Sequence, residues 1–585
     1  MSNPESKHVI SLKDMWVDRA VYQPGEPANL LLLLQNQGEA AVPVQLYVSL
    51  SWLDEEVWTR DRQIEIQPGE QQVALPLELP VESFRGYGVD LTLCDEYGYP
   101  CAQKSTALDV LENWVQAPRY GFLSDFAPGD HNAEAICASL ARYHVNLAQF
   151  YDWMWRHYIL MPPEDEFNDA LGRRISLRSV REKVAACHMQ GIAAIGYAAV
   201  YGAEPEYALE HPAEMLYDAA GEPYSIEKLF YIMNIHEDNP WRTQILAEMA
   251  RAVREVPFDG LHLDQYGFPK KEAFGPAPER VPYDLSRDFP MFIDEARRAI
   301  RQVQPGSQVI FNAVENWPIE TVASSSQDAT YIEVWPPYES YYDLQKLILE
   351  ARRLAPHKQV ILAAYLAPLK GAQGEDLLLA EAATRLASAA IWASGGFHLL
   401  IGEGDAALCD PYYPAYAALR PDFARVMRHY YDFVVRYENA LSDLRLATIN
   451  GREAQDMVRL HGLPSSTTGE GGKVWVIVRQ MPGLYTVSLV NLSQARDAYW
   501  NAPKPPPLPL HNLEIEVRVE GEIQGIFAAS PDRDGGRPCQ VVHHTIQKDG
   551  GTTEIHANLP RLEFWSMIVI KMSSDHPVRE GIRNA

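Results

Sequence analysis

The stretch "FDGLHLDQYG", residues 258–267, places an apolar run directly before an acidic residue, Asp264. The apolar positions are typical of a short buried strand. A carboxylate at the end of such a strand costs several kcal/mol unless it is paired or reaches water. Asp264 therefore either caps a loop or pairs with His262 or an arginine, or it is used for chemistry.

Seven other segments have the same character, and helical patterns separate most of them. The predicted strands are residues 119–125, 145–152, 192–201, 258–265, 308–314, 330–335, 359–366 and 396–402. Eight strand–helix units over about 320 residues have the count and size of a TIM barrel. We therefore predict a central (β/α)8 TIM barrel at residues 117–438, with long connections at 202–240 and 266–288 on its catalytic face.

The flanking regions contain short apolar or alternating runs separated by Gly, Pro and Asn turn signals. Residues 1–116 are typical of an immunoglobulin-like β-sandwich. Residues 439–585 predict a C-terminal antiparallel β domain, a β-sandwich of the Greek-key type, which contains a proline-rich connector at 501–512. The sequence therefore predicts a multidomain protein.

Composition narrows the possible ligands. The chain has 585 residues and a formal net charge of -27, which disfavours nucleic acid and anionic membrane surfaces as partners. The six cysteines show no metal-binding spacing, so no metal and no cofactor is predicted. No apolar run approaches a membrane span and no leader is visible, so we expect a cytoplasmic protein, secreted only if a leader was removed. The sequence does not address oligomeric state.

Polar and aromatic residues follow most of the predicted strands. They are Tyr151, Asp152, Trp153, Tyr201, Asp264, Gln265, Tyr266, Asn312, Glu315, Glu333, Trp335, Tyr365, His398, Glu403 and Asp405. In a TIM barrel these strand ends meet at one cavity. Aromatic rings that stack on sugar faces, together with carboxylates and amides that bind hydroxyls, favour a carbohydrate site.

Glycoside hydrolysis needs two carboxyl groups, about 5–5.5 Å apart in retaining enzymes and about 6.5–9.5 Å apart in inverting ones. Asp264 is the predicted nucleophile, because a short side chain on a rigid strand is held in place. Glu315 and Glu333 compete for the role of the acid. Aromatic surroundings raise the pKa of a carboxyl group, and Glu333 has Tyr331 and Trp335 on its own face of the strand, so Glu333 is favoured.

Several of these motifs resemble glycoside hydrolase family 66, the dextranases and cycloisomaltooligosaccharide glucanotransferases. They are "QFYDWMWRH" (149–157), "FDGLHLDQYG" (258–267), "FNAV" (311–314), "YIEVW" (331–335) and "GGFHLLIGEGD" (395–405). The resemblance implies a retaining mechanism on α-1,6-linked glucan, with a nucleophile at Asp264 and an acid/base at Glu333. The 69 positions from 264 to 333 agree with the family's spacing, whereas the 51 positions to Glu315 do not.

The expected activity is hydrolysis of internal α-1,6 linkages in dextran or isomaltooligosaccharides. The predicted substrate-binding residues are Tyr151, Asp152, Trp153, Tyr266, Asn312, Glu315, Trp335, Tyr365, His398 and Glu403. The region after residue 440 shows no carbohydrate-binding insertion, which favours hydrolysis over cyclisation. Three alternatives stay open: transglycosylation, a glycosidase for another α-linkage, and a non-catalytic carbohydrate-binding protein.

Overall fold

The computed structural model describes residues 9–95, 97–129, 131–548 and 551–573. The ends of the predicted flanking domains, residues 1–8 and 574–585, lie outside the described residues. The expectation about a leader concerns the N-terminal segment, whose first eight residues are among them. The chain is multidomain and rich in β-structure, with a curled sheet of parallel strands at its centre. Among the described residues, no helix is both long and apolar enough to cross a membrane.

The central sheet contains one strand from each of the eight predicted segments. They are β1 (Tyr120–Leu123), β2 (Leu147–Phe150), β3 (Ala193–Ala199), β4 (Gly260–Asp264), β5 (Gln308–Val314), β6 (Ala329–Glu333), β7 (Val360–Ala363) and β8 (Phe397–His398). Each strand pairs in parallel with the next one in the chain. The ends of β4, β5 and β6 are therefore neighbours along one edge of the sheet.

The edges of this sheet are linked by the residues after β8. A short strand, Ile401–Gly402, follows β8 and lies beside β1, where Gly402 pairs in parallel with Phe122. The segment that carries β8 on one side of the sheet thus contacts β1 on the other side.

Helices connect most of the strands and cover the sheet. Within the described residues, the helices of the central region are Ala133–Ala141, Leu177–Met189, Pro205–Ala208, Pro240–Glu255, Leu285–Val303, Ile319–Val322, Tyr341–Leu354, Gly374–Ala393, Pro421–Arg436 and Glu438–Leu441, and Gly451–Met457 packs on the C-terminal strands. The helix after β4 shows the usual reason for this packing. Its buried residues Phe289, Phe292, Ile293, Ala296 and Ile300 recur at helical spacing and form one apolar face.

The two long connections carry small sheets of their own. The connection after β3 contains the strands Gly202–Ala203, Ser225–Ile226 and Phe230–Ile232, and the connection after β4 contains Ala273–Phe274 and Pro282–Tyr283. Ile226 and Phe230 from the first connection line the cavity described below. The predicted position of this connection beside the catalytic face is therefore confirmed.

The N-terminal strands form two antiparallel sheets around one core in the part that the structure describes. One sheet contains Ile10–Val17, Ala28–Asn36 and Gly69–Leu77, and the other contains Val42–Trp52, Glu55–Ile66, Arg85–Cys94 and Pro100–Val110. The strand Ala28–Asn36 alternates strictly between buried and half-buried residues, as expected for a sheet with one face on the core.

The C-terminal strands form two further sheets around a separate core. The first contains Ala447–Ile449, Ser465–Ser466, Val474–Met481, Leu484–Asn491, Ile523–Ala529, Cys539–Gln540 and Trp565–Met572, and the second contains Val458–Leu460, Leu510–Glu520, Val542–Gln547 and Thr552–Leu562. The C-terminal region is therefore β-rich, as predicted.

Buried ion pairs join the N-terminal sheets to the central region. Arg436, on the helix Pro421–Arg436, donates to both carboxylate oxygens of Asp90 at 3.0 and 2.8 Å. Arg119 lies 2.7 Å from Asp109 and 3.6 Å from Glu438, and all three side chains are fully buried. Removing one partner of such a pair leaves an uncompensated buried charge, so these contacts hold the two regions in one arrangement.

Candidate active site

Two carboxylates and one amide meet at the ends of three neighbouring strands. Asp264 is the last residue of β4, Glu333 is the last residue of β6, and Asn312 lies on β5 between them. The Asn312 Nδ2 group donates to Asp264 Oδ1 at 2.7 Å and to Glu333 Oε2 at 3.1 Å. These two oxygens are therefore at most 5.8 Å apart, the sum of the two distances.

Tyrosine hydroxyls hold the outer oxygens of the same carboxylates. Tyr197 donates to Asp264 Oδ2 at 2.7 Å, and Tyr365 donates to Glu333 Oε1 at 2.7 Å. Each of the four carboxylate oxygens thus accepts a hydrogen bond from a side chain. Both carboxylates are fixed in orientation before any ligand binds.

Burial changes the acidity of this pair. It raises the pKa of Asp264 to about 7, and the nearby charge of Glu333 contributes to that rise. Burial also raises the pKa of Glu333. Two carboxyl groups this close do not readily ionise together, so the two titrations are coupled.

The pair opens into a cavity of about 500 Å³, which is within the size range of ligand pockets. Its lining is Tyr151, Asp152, His157, Leu171, Tyr197, Ile226, Phe230, Asp264, Gln265, Tyr266, Gly267, Val314, Glu315, Glu333, Trp335 and Pro411. Carboxylates and aromatic rings dominate this list, which is the mixture expected for a sugar site.

Tyr151 and Asp152 lie where the sequence placed them, on the cavity wall after β2. Tyr151 stacks on Tyr413, with ring centroids 4.3 Å apart. Asp152 has a left-handed backbone conformation, and Arg173 binds its carbonyl oxygen at 2.9 Å and lies 3.7 Å from its carboxylate. Burial raises the pKa of Asp152 to about 6.

Glu315 lines the cavity outside the carboxylate pair. Its side chain is 36% exposed and forms an ion pair with Lys270. Asn312 and Tyr365 contact Glu333 instead. The structure therefore brings Glu333, not Glu315, together with Asp264.

Tyr266, Trp335 and Tyr365 are also placed around the pair. Tyr266 and Trp335 line the cavity. Tyr365 is 6% exposed and reaches the site through Glu333. The ring of Tyr365 packs against Trp335 with centroids 5.8 Å apart, so both aromatic residues surround the Glu333 carboxylate.

Three predicted substrate contacts are wrong. Trp153 is fully buried against Phe258 and donates its indole N–H to a backbone carbonyl, so it is a core residue. His398 is buried, and both ring nitrogens are already hydrogen-bonded, to Ser388 and to a backbone carbonyl. Burial lowers the pKa of His398 to about 4, so the ring is neutral.

Glu403 is the third of these residues. Its carboxylate accepts bonds from the backbone N–H groups of Ser124 and Asp125 at 2.9 and 2.7 Å and contacts Lys183 at 3.2 Å. It is 3% exposed, and these partners use its hydrogen-bonding capacity. Glu403 therefore holds loops together and does not contact a substrate.

Three residues of the cavity were not predicted from the sequence. They are Tyr197, His157 and Phe230. Tyr197 lies inside β3. Side chains alternate between the two faces of a strand, and this alternation was the sequence signal that could have placed Tyr197 on the same face as the cavity. His157 binds the Glu204 carboxylate at 2.8 Å, and that contact together with neighbouring negative charges raises the pKa of His157 despite burial. His157 lies on a loop and Phe230 begins a three-residue strand in the connection after β3, and no periodic pattern in the sequence indicates where these side chains point.

One cluster in the described part of the chain has the side chains to hold a metal ion. The ligand atoms of Glu516, Glu554 and His556 lie within 4.8 Å of one another on a C-terminal sheet. Arg518 and Lys548 lie 3.3 and 3.4 Å from Glu554 and neutralise this group. We therefore assign no metal ion to it.

Comparisons with known proteins find two kinds of relative. A cycloisomaltooligosaccharide glucanotransferase of Niallia circulans is 23% identical over 717 aligned positions, which cover 97% of this chain and 72% of that protein. A dextranase of Streptococcus salivarius is 23% identical, with 85% of this chain and 69% of that protein covered.

The fold is also that of a solved structure. The cycloisomaltooligosaccharide glucanotransferase of Paenibacillus sp., complexed with cycloisomaltoheptaose, matches with a TM-score of 0.87 at 22% identity over 96% of this chain and 99% of that chain. The model of Glycosyl hydrolase family 66 matches residues 17–569. The resemblance seen in the motifs is confirmed: the chain belongs to glycosyl hydrolase family 66 and is a glycoside hydrolase.

Proposed function

We propose that this enzyme cleaves internal α-1,6-glucosidic linkages of dextran or isomaltooligosaccharides by a retaining, double-displacement mechanism. Asp264 is the nucleophile and Glu333 is the acid/base. The observation that carries the proposal is the amide of Asn312, which binds one oxygen of each carboxylate.

This bridge supports retention over inversion. An amide presents two N–H donors that diverge by about 120°. With bonds of 2.7 and 3.1 Å, the facing oxygens are then about 5.0 Å apart, close to the separation of retaining enzymes. Inverting enzymes need about 6.5 Å or more to admit a water molecule between the carboxyl groups.

The mechanism uses the two carboxyl groups at the ends of β4 and β6. The Asp264 carboxylate attacks the anomeric carbon, the bond to the glycosidic oxygen breaks, and that oxygen takes the proton of Glu333. Water or an acceptor hydroxyl then gives a proton to the Glu333 carboxylate and attacks the same carbon, which releases Asp264. Glu333 is therefore the acid in the first step and the base in the second.

The side chains of the cavity wall suit a polyhydroxylated ligand. Asp152 would hold a hydroxyl group of a bound glucosyl unit, and Tyr151, Tyr266 and Trp335 would form walls.

The linkage is inferred from the relatives, which are cycloisomaltooligosaccharide glucanotransferases and a dextranase. The same relatives favour a second candidate, transglycosylation to cyclic or longer isomaltooligosaccharides, in which a sugar hydroxyl replaces water in the second step.

We further infer that the parallel sheet closes as a (β/α)8 barrel over residues 117–438, because Gly402 pairs with Phe122. The flanking regions, 1–116 and 439–585, are then an immunoglobulin-like and a Greek-key β-sandwich.

The test is a panel of α-1,6, α-1,4 and α-1,3 glucans with the wild type, Asp264→Asn and Glu333→Gln. We expect cleavage of the α-1,6 substrates by the wild type and loss of that activity in both variants. Chromatography separates the two candidates, because cyclic products have no reducing end. Cleavage of another linkage alone would refute the substrate assignment.

Azide tests the acid/base assignment. With Glu333→Ala and a substrate that has an activated leaving group, azide should restore turnover and yield an α-glucosyl azide, because azide attacks the β-glucosyl-enzyme without a general base. Glu315→Ala is the matched control. This variant should be active without azide, and azide should not raise its turnover. Rescue of Glu315→Ala alone would reverse the assignment.

A further inference from the structure

The C-terminal β domain reaches the loop that follows Glu333. Residues 335–340, here called the acid loop, run from β6 to the helix Tyr341–Leu354. Tyr338 N–H donates to the Trp335 carbonyl at 3.0 Å, which makes a tight turn beside the cavity. At the helix start, Ser340 forms a capping box with Asp343.

Residues 498–501 of the C-terminal domain pair with this loop like a short strand. Tyr341 N–H donates to the Ala498 carbonyl at 2.9 Å, and Trp500 N–H donates to the Glu339 carbonyl at 3.0 Å. Between these bonds, Tyr499 lies opposite Ser340 as an antiparallel pair. In a pair of this type the Cα atoms are about 4.5 Å apart and the side chains leave from the same face.

The two aromatic residues of this segment have opposite environments. Trp500 is 3% exposed, and its indole N–H donates to the Tyr338 carbonyl at 2.8 Å. Asn501 accepts a bond from Ala367 N–H at 3.0 Å. Tyr499 is 54% exposed, because alternate side chains of an extended segment point to opposite sides. Trp500 thus anchors the segment, while Tyr499 presents its ring to solvent from a fixed backbone.

The backbone pairing of Tyr499 with the loop that follows Glu333 indicates what could bind its ring. The acid gives its proton to the glycosidic oxygen, so the departing part of the substrate lies on the Glu333 side of the cavity. Trp335 lines the cavity on that side, and the acid loop leads from Trp335 to Tyr499. A flat aromatic surface suits the apolar face of a neutral sugar ring, and a neutral ligand suits a chain of net charge -27.

We propose that Tyr499, supplied by the C-terminal domain, is a remote binding subsite for the leaving-group portion of the glucan chain. This inference rests on the proposed function, since it uses Glu333 as the acid. The C-terminal domain then sets which bond of a long substrate is cleaved, while short substrates do not reach the subsite.

The test compares long and short isomaltooligosaccharides. Tyr499→Ala should lower the ratio of kcat/KM for long over short substrates by about three- to tenfold, the loss expected for one aromatic contact. It should also move the preferred cleavage position along the long substrate, which a purely structural defect would not do. Tyr499→Phe should keep the wild-type ratio, and Tyr99→Ala, an exposed tyrosine of the N-terminal domain, is the matched control.

A second measurement separates this inference from the proposed function. Calorimetry should show that a long isomaltooligosaccharide binds more weakly to the double variant Asp264→Asn/Tyr499→Ala than to the single variant Asp264→Asn. If the wild type cleaves α-1,6 glucan but Tyr499→Ala leaves the ratio and the cleavage pattern unchanged, the subsite is refuted and the function stands. If the wild type does not cleave it but Tyr499→Ala weakens binding, the function fails and the subsite stands.

Discussion

Replacing Asp264 by asparagine should stabilise the protein more as the pH rises. The carboxyl has an ordinary pKa of 3.8 and a pKa of about 7 in the folded protein. A carboxyl whose pKa is raised by folding favours the folded state while it is protonated. That contribution is complete below the unfolded pKa and is lost as the pH rises through the folded pKa.

The size of the effect follows from these two values. The raised pKa of Asp264 lowers the stability of the folded state by about 4 kcal/mol at pH 8, by about 3 kcal/mol at pH 6 and by less than about 2 kcal/mol at pH 5. Unfolding entropy is about 2.1 cal/mol/K per residue. For 585 residues that unfold as one unit, Asp264→Asn should therefore gain about 3 °C at pH 8 and about 1 °C at pH 5.

The assay is thermal unfolding of the wild type and Asp264→Asn in buffers from pH 5 to pH 8. Asparagine can keep both hydrogen bonds, since its oxygen accepts from Asn312 and its amide donates to the Tyr197 oxygen. Any packing cost is the same at every pH and cancels in the comparison. Glu315→Gln, a partly exposed carboxylate beside Lys270, is the control. A gain that is constant with pH, or larger at pH 5, would refute the buried-pair description.

Four other perturbations test the same geometry. Glu333→Gln removes the charge that raises the pKa of Asp264, so the acid limb of the pH–rate profile should move to lower pH on a substrate with an activated leaving group. Tyr197→Phe removes a hydrogen bond that lowers this pKa, so the same limb should move to higher pH. Asn312→Ala should lower kcat about 100-fold, because neither carboxylate keeps its position; unchanged kcat would contradict the bridge. Trp153→Ala should cost about 3–5 kcal/mol in denaturant unfolding, whereas a sugar contact would change KM without this loss.

The sequence was sufficient to place the strands and the two carboxylates at their ends. Periodicity located β4 and β6, and both end in the expected carboxylates. Packing against aromatic residues favoured Glu333, and the structure places Trp335 and Tyr365 around it. These predictions succeeded because a parallel strand fixes which residue stands at its end.

The failures have one physical cause. Trp153 and Glu403 also follow strands and His398 ends one, but position in the sequence does not tell whether a side chain turns toward the cavity or back into the core. Each of them instead finds partners within the protein. Trp153 binds the backbone of β3, His398 binds the preceding helix and the backbone after β7, and Glu403 binds the backbone after β1. Contacts of this kind need the three-dimensional arrangement, as does the position of His157 against Glu204.

Strand β5 supplies neither of the two reacting carboxylates, yet the chemistry depends on its alignment. Its pairing with β6, from Ile310 opposite Ala329 to Val314 opposite Glu333, decides that the Asn312 amide faces inward. A slip of one residue would turn that amide outward and release both carboxylates at once. Insertions or deletions within β5 should therefore inactivate this enzyme even when both acids remain.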